Sequence, residues 1–279
     1  MTATDKYAVF GNPVKHSKSP QIHRAFARLT QQQLSYRSHQ VEEGKFADAA
    51  RSFFDNGGKG LNITLPFKLD AYKFADELSA RAQRAGAVNT LALQDDGSIF
   101  GDNTDGAGLV QDLCENLAWK VSNKRVLLLG AGGAIRGVLE PLLRLKPSHL
   151  LIANRTVEKA QQLAADFSDL GTVRGCSYEA LNGNHFDLII NGTSASLAGE
   201  LPPLPSQALT DEGCCYDMMY SAEPTPFMRW GAKNTAWAVA DGLGMLVEQA
   251  AESFCLWRGV RPQTRRVIDV IREELEASG

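Results

Sequence analysis

The sequence predicts an α/β protein of two domains, and three observations support that prediction. The chain has 279 residues, which is long for one ordinary domain and comfortable for two, and 44% of them are apolar, enough for buried cores. Candidate strands and helices alternate through most of the chain, which is typical of a sheet flanked by helices. In the second half, "VLLLG" and "DLIIN" are apolar on both faces, as expected for central parallel strands covered on both sides.

The elements of the first half follow from the spacing of their apolar residues. "YAVFG" predicts a first strand, and apolar residues at 22, 25, 26 and 29 have the spacing of a helix over residues 21–29. Further strands are predicted at "LSYRSHQV", "GLNITL", "AVNTLAL" and "SIFG". Helices are predicted over residues 46–56, 75–85 and 106–117.

The second half has the alternation of a doubly wound unit. "RVLLLG" leads to a helix from about residue 133, "HLLIANR" leads to a helix from about residue 157, and strands follow at "FDLIINGT", "CCYDMMY" and "AWAVADG". The last two long segments are helical with no strand after them, and we expect them to pack back on the first half. They span residues 243–257 and 265–276. The predicted domains are residues 1–105 with 243–279, and residues 106–242.

Charge and composition exclude several classes of protein. A formal net charge of −3 leaves no basic surplus for a run of phosphates, so we expect no nucleic-acid partner. The first residues, "MTATDKYAVFG", lack a basic segment followed by an apolar one, and no apolar run approaches the roughly 20 residues of a membrane span. We therefore expect a soluble, cytoplasmic protein. Five cysteines without a C-x-x-C pair argue against a disulfide framework or a structural zinc site.

A glycine-rich turn follows the first apolar strand of the second half. In "VLLLGAGGA", the strand leads through Gly130, Gly132 and Gly133 directly into a helix start. Glycines let the backbone approach a pyrophosphate, and the helix N-terminus offers free N–H groups and a favourable dipole. The third position of the dinucleotide fingerprint carries Ile135, with the small Ala134 before it. The turn on its own therefore fits either dinucleotide binding or a tight turn without a ligand.

The next strand ends in "ANRT", where an NAD enzyme would place an acidic residue on the ribose hydroxyls. Arg155, between Asn154 and Thr156, suits a 2′-phosphate instead, and Lys159 adds a second cation one turn later. The alternative is a solvated helix start with Thr156 as its N-cap. Basic residues oppose the dipole of a helix start, which favours the phosphate-binding interpretation.

Several polar residues of the first half lie where a purely structural role is not obvious. In "LNITLPFK", Asn62 and Thr64 point off the same face of a strand, and Lys68 follows. Asn89 interrupts the apolar strand "AVNTLAL", where an unpaired amide would be costly, so it needs a partner. Asp105 begins a helix, a position that the dipole alone also favours for a carboxylate.

Two serines precede Pro20 in "HSKSP". Ser19 followed by proline is also an ordinary N-cap and first helical residue, whereas Ser17 has no such structural explanation. Two hydroxyls beside a helix N-terminus would form a neutral site for a carboxylate. Taken singly, these polar residues are as compatible with structure as with function.

Together, the motifs resemble those of shikimate dehydrogenase. The shared segments are "GNPVKHSKSP", "GLNITLPFK", "AGAVNT", "GDNTDG", "GAGGA", "NRT", "YDMMY" and "DGLGMLVEQAA". They occur in the order and at the spacing typical of that family, from residue 11 to about residue 251, which is nearly the whole chain. The resemblance implies an N-terminal α/β substrate domain, completed by the C-terminal helices, and a Rossmann-type dinucleotide-binding domain.

The resemblance also implies roles for individual residues. Lys68 would act on the hydroxyl that becomes the ketone, with Asp105 as its partner. The substrate carboxylate would be bound by Ser17, Ser19 and Tyr220, and the ring hydroxyls by Thr64, Asn89 and Gln249, with Asn62 bracing the pocket. The coenzyme would be NADP(H), held at its pyrophosphate by Gly130, Ala131, Gly132, Gly133 and Ala134. Its 2′-phosphate would be held by Asn154, Arg155, Thr156 and Lys159, and its nicotinamide end by Met218 and Gly242.

The implied reaction is the reversible reduction of 3-dehydroshikimate to shikimate by NADPH, without a metal, in a chain that forms a monomer or a homodimer. We expect the site to lie in a cleft between the domains, with hinge closure over the substrate. Two other functions stay open. One is a quinate/shikimate paralogue that uses NAD, against which "NRT" argues; the other is a non-catalytic NADP-responsive binding module, against which the presence of Lys68 and Asp105 argues.

Overall fold

The computed structural model describes residues 4–193, 195 and 199–278. The chain divides into two compact units. Unit 1 comprises Met1–Gly108 and Val247–Val267, and unit 2 comprises Leu109–Leu246 and Ile268–Gly279. No helix within the described residues combines the length and the apolarity needed to cross a membrane.

Unit 1 is built on one mixed sheet. Its strands are β1 (Asp5–Gly11), β2 (Leu34–Gln40), β3 (Gly58–Ile63), β4 (Glu77–Leu78), β5 (Thr90–Leu93) and β6 (Ile99–Asp102). The helices are α1 (Ser19–Leu29), α2 (Phe46–Asp55), α3 (Lys68–Phe74), α4 (Ala80–Ala85) and α5 (Asp105–Gln111), the last of which ends in unit 2. The order of the described strands is β2-β1-β3-β5-β6-β4, with β5 antiparallel to both of its neighbours.

The helix predicted over residues 75–85 is wrong in its first half. Asp76 pairs with β6, since its backbone N–H donates to the Ile99 carbonyl and its side chain accepts from the Ile99 N–H. Ser79 follows the short strand β4, and its hydroxyl accepts from Ala82 N, which caps α4. The helix α3, which begins at Lys68, was not predicted at all.

Unit 2 is a doubly wound parallel sheet, as predicted. Its strands are β7 (Arg125–Leu129), β8 (His149–Ala153), β9 (Val173–Cys176), β10 (Phe186–Asn191), β11 (Leu209–Asp217) and β12 (Ala238–Asp241). Its helices are α6 (Gly133–Arg144), α7 (Val157–Asp166) and α8 (Pro226–Lys233), and a π-helical turn, Asp112–Asn116, follows α5. The order of the described strands is β12-β11-β10-β7-β8-β9, all parallel, which is the Rossmann arrangement.

The central strand β7 shows why this sheet is covered on both faces. Leu128 packs in one buried cluster with residues of α6, while Leu127 and Leu129 pack in a second cluster with Phe227 of α8. Because side chains alternate along a strand, these two clusters lie on opposite faces of the sheet. The apolar run "VLLLG" is therefore explained by burial on both sides.

The C-terminal helices are α9 (Leu243–Arg258) and α10 (Arg265–Ser278), and the division into units passes through both. This differs from the predicted assignment of all residues 243–279 to the first domain. The end of α10 belongs to unit 2, where Arg272 donates hydrogen bonds to the Asp241 carboxylate and to the Ser221 carbonyl. Both partners belong to unit 2.

Candidate active site

Lys68 and Asp105 form an ion pair in unit 1. Lys68 is the first residue of α3, five positions after the end of β3, and Asp105 is the first residue of α5. Lys68 Nζ lies 2.5 Å from Asp105 Oδ2, and their side chains are 28% and 13% exposed. The Lys68 carbonyl accepts from Val88 N at 3.0 Å, which ties the start of α3 to the segment before β5. The pair is thus partly sheltered but open to a ligand.

Asn89 holds the other oxygen of the same carboxylate. Its Nδ2 donates to Asp105 Oδ1 at 2.8 Å and to Thr104 Oγ1 at 2.9 Å, and it lies 3.4 Å from Gln249 Oε1. Its Oδ1 accepts from Thr104 N at 2.9 Å. Because a backbone N–H can only donate, this bond identifies which end of the Asn89 amide is the oxygen. Sequence analysis predicted that Asn89 needs a partner, and the structure supplies several.

Asn62 lies in a buried polar cluster next to Asn89, which contacts the Lys68–Asp105 pair. Its Oδ1 accepts from Tyr36 Oη at 2.8 Å, and its Nδ2 donates to Ser253 Oγ at 3.0 Å and to Thr90 Oγ1 at 3.2 Å. Burial raises the pKa of Tyr36 well above its ordinary value, and a hydrogen bond with Ser19 opposes part of that effect. Tyr36 therefore stays protonated, and its hydroxyl donates to Asn62.

The two serines lie at the start of α1. Ser19 is the first helical residue, and its backbone N–H donates to Ser17 Oγ at 3.3 Å. Lys18, rather than Ser19, occupies the N-cap position, and its side chain makes no capping hydrogen bond. The interpretation of Ser19 as a cap is therefore wrong. Thr64 follows the end of β3, where its backbone N–H donates to the Phe10 carbonyl at 2.9 Å.

The structure thus joins five of the predicted residues by hydrogen bonds or a shared partner in unit 1. They are Asn62, Lys68, Asn89, Asp105 and Gln249. Three residues that sequence analysis did not name belong to the same cluster: Thr90, Thr104 and Ser253. Tyr220 belongs to unit 2, in the segment between β11 and α8, where burial and the charge of Asp241 raise its pKa.

The glycine-rich turn of unit 2 follows the carboxyl end of β7. Gly130 has a φ of +101°, a conformation that favours glycine, and it is followed by Ala131. Gly132 is the N-cap residue of α6 in an extended conformation, and α6 begins with Gly133 and Ala134. A Cβ added at Gly132 or at Gly133 would meet no atom within 4 Å, so open space faces the start of the helix. This arrangement fits the approach of a pyrophosphate.

The basic segment follows the neighbouring strand β8 at the same edge of the sheet. Asn154 Nδ2 donates to the Thr156 carbonyl at 2.8 Å, and the Arg155 side chain is exposed. Thr156 occupies the N-cap position of α7, as the alternative interpretation predicted, although its side chain makes no capping hydrogen bond. Lys159 and the glycine-rich turn line one cavity of about 430 Å³.

Met218 and Gly242 follow the carboxyl ends of β11 and β12. A Cβ added at Gly242 would lie 2.2 Å from the Met218 carbonyl oxygen, so only glycine allows the two loops to approach this closely. The carboxylate of Asp217 accepts from Met219 N at 3.1 Å and from Thr225 Oγ1 at 2.6 Å, which fixes the loop that carries Met218. Carboxyl ends of parallel strands at a topological switch point are where doubly wound sheets bind ligands.

Comparison with known proteins assigns the family. Three family models match successive parts of the chain: shikimate dehydrogenase substrate binding domain over residues 9–91, shikimate / quinate 5-dehydrogenase over residues 112–198, and shikimate 5′-dehydrogenase C-terminal domain over residues 242–274. A relative from Methylococcus capsulatus, named shikimate dehydrogenase (NADP(+)), is 58% identical over 274 residues, with 98% of each chain covered.

Two solved structures extend the match to the fold. An Ael1 enzyme from Pseudomonas putida is 47% identical, with a TM-score of 0.90 over 95% of this chain and 97% of that chain. The shikimate 5-dehydrogenase of Thermus thermophilus, solved in complex with NADP(H) and shikimate, is 31% identical, with a TM-score of 0.87 over 97% of this chain and 100% of that chain. The motifs, the fold and these matches agree, and the chain belongs to the shikimate dehydrogenase family.

Proposed function

We propose that this protein is a shikimate dehydrogenase, which reduces 3-dehydroshikimate to shikimate with NADPH and catalyses the reverse reaction with NADP. The observation that carries the proposal is the Lys68–Asp105 ion pair, whose carboxylate is also held by Asn89. Relatives that are 54–58% identical over nearly their whole length are named NADP-dependent shikimate dehydrogenases, which supports the substrate and the coenzyme. Unit 1 would bind the substrate and unit 2 the coenzyme.

Lys68 would act as the proton donor in the direction of reduction. A ketone that gains a hydride at carbon develops negative charge on its oxygen, and an ammonium group stabilises that charge and supplies the proton of the new hydroxyl. Asp105 orients the ammonium through the 2.5 Å ion pair. Because 28% of the Lys68 side chain is exposed, solvent can return the proton that the lysine has given up.

The chain's residues fit NADP(H) at the carboxyl edge of the sheet in unit 2. The open glycine-rich turn from Gly130 to Gly133 would hold the pyrophosphate, and the exposed Arg155 with Lys159 would hold the 2′-phosphate. Met218 and Gly242 would contact the nicotinamide end. When bound, the coenzyme supplies or accepts the hydride, which no side chain can do.

The polar side chains of unit 1 would select the substrate. Asn89 and Gln249 present amide groups beside the ion pair, and they would bind ring hydroxyls together with Thr64. Ser17 and Ser19 would bind the carboxylate, a role that the sequence resemblance also gives to Tyr220. Asn62 is enclosed by Tyr36, Thr90 and Ser253, so we assign it a bracing role rather than direct contact with the substrate.

The test is a coenzyme assay with purified protein. We expect NADP reduction with shikimate, unchanged when a chelator is present, and far weaker activity with NAD. Turnover of quinate with NAD, but not of shikimate, would assign the chain to a quinate-specific branch of the family. Tight binding of NADP without turnover of either substrate would favour a binding module instead.

A further inference from the structure

A buried chain of hydrogen bonds runs from the core of unit 1 to the catalytic carboxylate. Tyr36 Oη donates to Asn62 Oδ1 at 2.8 Å, and Asn62 Nδ2 donates to Ser253 Oγ at 3.0 Å. Ser253 Oγ lies 2.8 Å from Thr90 Oγ1, which donates to Asn89 Oδ1 at 2.9 Å. Asn89 Nδ2 then donates to Asp105 Oδ1 at 2.8 Å.

The middle of this chain is sealed from solvent. Ser253 and Thr90 have no exposed surface, and Tyr36 is 4% exposed. Ser253 lies on α9 and Thr90 on β5, 163 residues apart in sequence, so the chain joins a C-terminal helix to the sheet. Neither hydroxyl can touch a substrate, because burial separates both from any ligand.

The hydroxyls of Ser253 and Thr90 are hydrogen-bond partners of the Asn62 and Asn89 side-chain amides. Asn62 Oδ1 is engaged by the tyrosine, so its Nδ2 faces Ser253, which must accept. Asn89 Nδ2 is engaged by the carboxylate, so its Oδ1 faces Thr90, which must donate. Hydroxyls both donate and accept, and an apolar side chain at either position would leave an amide with one partner fewer.

We propose that Ser253 and Thr90 are positioning residues for the reaction. They hold the Asn62 and Asn89 amides in one orientation, and Asn89 in turn holds Asp105 so that its second oxygen faces Lys68. Linked hydrogen bonds in a dry interior polarise one another, so a break in the middle weakens the bond at the end. This inference rests on the proposed roles of Lys68 and Asp105.

The test compares two conservative truncations with a matched control. Thr90→Val and Ser253→Ala each remove one hydroxyl with little change in volume. We expect each to lower kcat for shikimate about 3- to 10-fold, in line with one lost hydrogen bond, and to leave KM for NADP unchanged. Cys255→Ala, two residues along α9 and outside the chain of hydrogen bonds, should leave kcat unchanged.

A double variant shows whether the two hydroxyls act as one unit. If they do, Thr90→Val with Ser253→Ala should lower kcat little more than either change alone. Losses that multiply would show that the two hydroxyls act independently rather than as one unit, and a lower melting temperature with kcat intact would show that they only stabilise the fold. Either result would overturn the proposal.

A spectroscopic measurement separates this inference from the proposed function. The measurement is the NMR spectrum of the side-chain NH₂ groups, in which the Asn89 signals are assigned by their loss in Asn89→Ala. These signals should be resolved in the wild-type protein. They should shift and broaden in Ser253→Ala but not in Cys255→Ala. Unchanged Asn89 signals would contradict the positioning role whatever the substrate is. Failure of the wild-type protein to act on shikimate would instead contradict the proposed function.

Discussion

At the scale of single residues, the ion pair between Lys68 and Asp105 predicts that replacing Lys68 will slow catalysis rather than weaken substrate binding. Lys68→Ala removes the group that meets the charge developing on the substrate oxygen. We expect kcat to fall about 100-fold or more, as for other general acids, with a much smaller change in KM for shikimate. Steady-state kinetics with shikimate and NADP measure both parameters.

The matched control for that change lies on the same helix. Lys73 is an exposed lysine in the last turn of α3, and Lys73→Ala should leave kcat and KM near their wild-type values. If Lys68→Ala kept kcat and only raised KM, then Lys68 would be a binding residue and the proton donor would lie elsewhere.

The exposed Arg155 predicts a preference for NADP over NAD. A guanidinium beside a 2′-phosphate makes charge-assisted hydrogen bonds of roughly 1.5 to 3 kcal/mol each, or about 10- to 150-fold in affinity per bond. Arg155→Ala should therefore lower kcat/KM for NADP by one to two orders of magnitude, leave kcat/KM for NAD nearly unchanged, and make NADP binding less sensitive to salt. Adding Lys159→Ala should enlarge the loss.

An exposed cation elsewhere in unit 2 provides the control for Arg155. Lys233→Ala, at the end of α8, should change neither coenzyme's kcat/KM. Equal losses for NADP and NAD in Arg155→Ala would mean that the arginine supports the fold or the adenosine in general, and the assignment to the 2′-phosphate would be wrong.

The residues that sequence analysis could and could not identify differ in a physical way. Asn89 stood out because an amide in an apolar strand needs a partner, and Lys68 because it follows a strand with one polar face. Thr90 and Ser253 gave no such signal, since threonine is common in strands and serine is common anywhere. Their importance arises only when the fold brings α9 beside β5, which no local pattern encodes.

At the scale of elements, local patterns predicted the long helices and central strands but failed in the segment after β3. The missed helix α3 has seven residues, and one predicted helix proved to be β4 followed by α4. Short elements carry too few apolar positions to define a period, and here the pairing of Asp76 with Ile99 outweighs local helix propensity. The failure matters because α3 is the element that presents Lys68.

The start of α9 provides a prediction about an element. A Cβ added at Gly244 would lie 1.9 Å from Asp112 Oδ1, and the Asp112 carboxylate is buried and accepts from Tyr216 Oη at 2.7 Å. Gly244→Ala should therefore lower the free energy of unfolding by roughly 2 to 4 kcal/mol, from overpacking and a disturbed buried hydrogen bond. Urea titration measures the loss.

A glycine in the first turn of another helix is the control for Gly244. Gly133 begins α6, and a Cβ there meets nothing within 4 Å, so Gly133→Ala should keep or slightly raise the stability of the coenzyme-free protein. If both variants were equally stable, Asp112 would have moved without cost, and its contact with α9 would not support the fold.

At the scale of the whole molecule, the two sheets followed from the alternation of elements, whereas the division of the C-terminal helices did not. The sequence shows that α10 is amphipathic, but not which unit its polar face contacts. In the structure, Arg272 of α10 donates to the Asp241 carboxylate and to the Ser221 carbonyl, both in unit 2. Long-range ion pairs of this kind leave no periodic trace in the sequence.

The stability of the folded chain should also fall in acid because of one buried histidine. His23 is 1% exposed and stacks on Tyr36 with 4.3 Å between ring centroids. Burial lowers the pKa of His23 from 6.5 to about 3, and the nearby Asn62 offsets only part of this effect.

The unfolded state therefore binds a proton on His23 below about pH 6.5 that the folded state does not bind until about pH 3. Since the unfolded state binds more protons in this window, the free energy of unfolding falls as the pH falls, by about 1.4 kcal/mol at about pH 5.5 and about twice that at about pH 4.5.

His23→Phe keeps a stacked ring but removes the titrating group, so its stability should decline less steeply between these pH values when both proteins are unfolded in urea. Replacing the exposed His185 by Gln should leave the decline unchanged. Parallel curves for wild type and His23→Phe would show that His23 is protonated in the folded protein as readily as in the unfolded chain, and that other groups cause the loss of stability in acid.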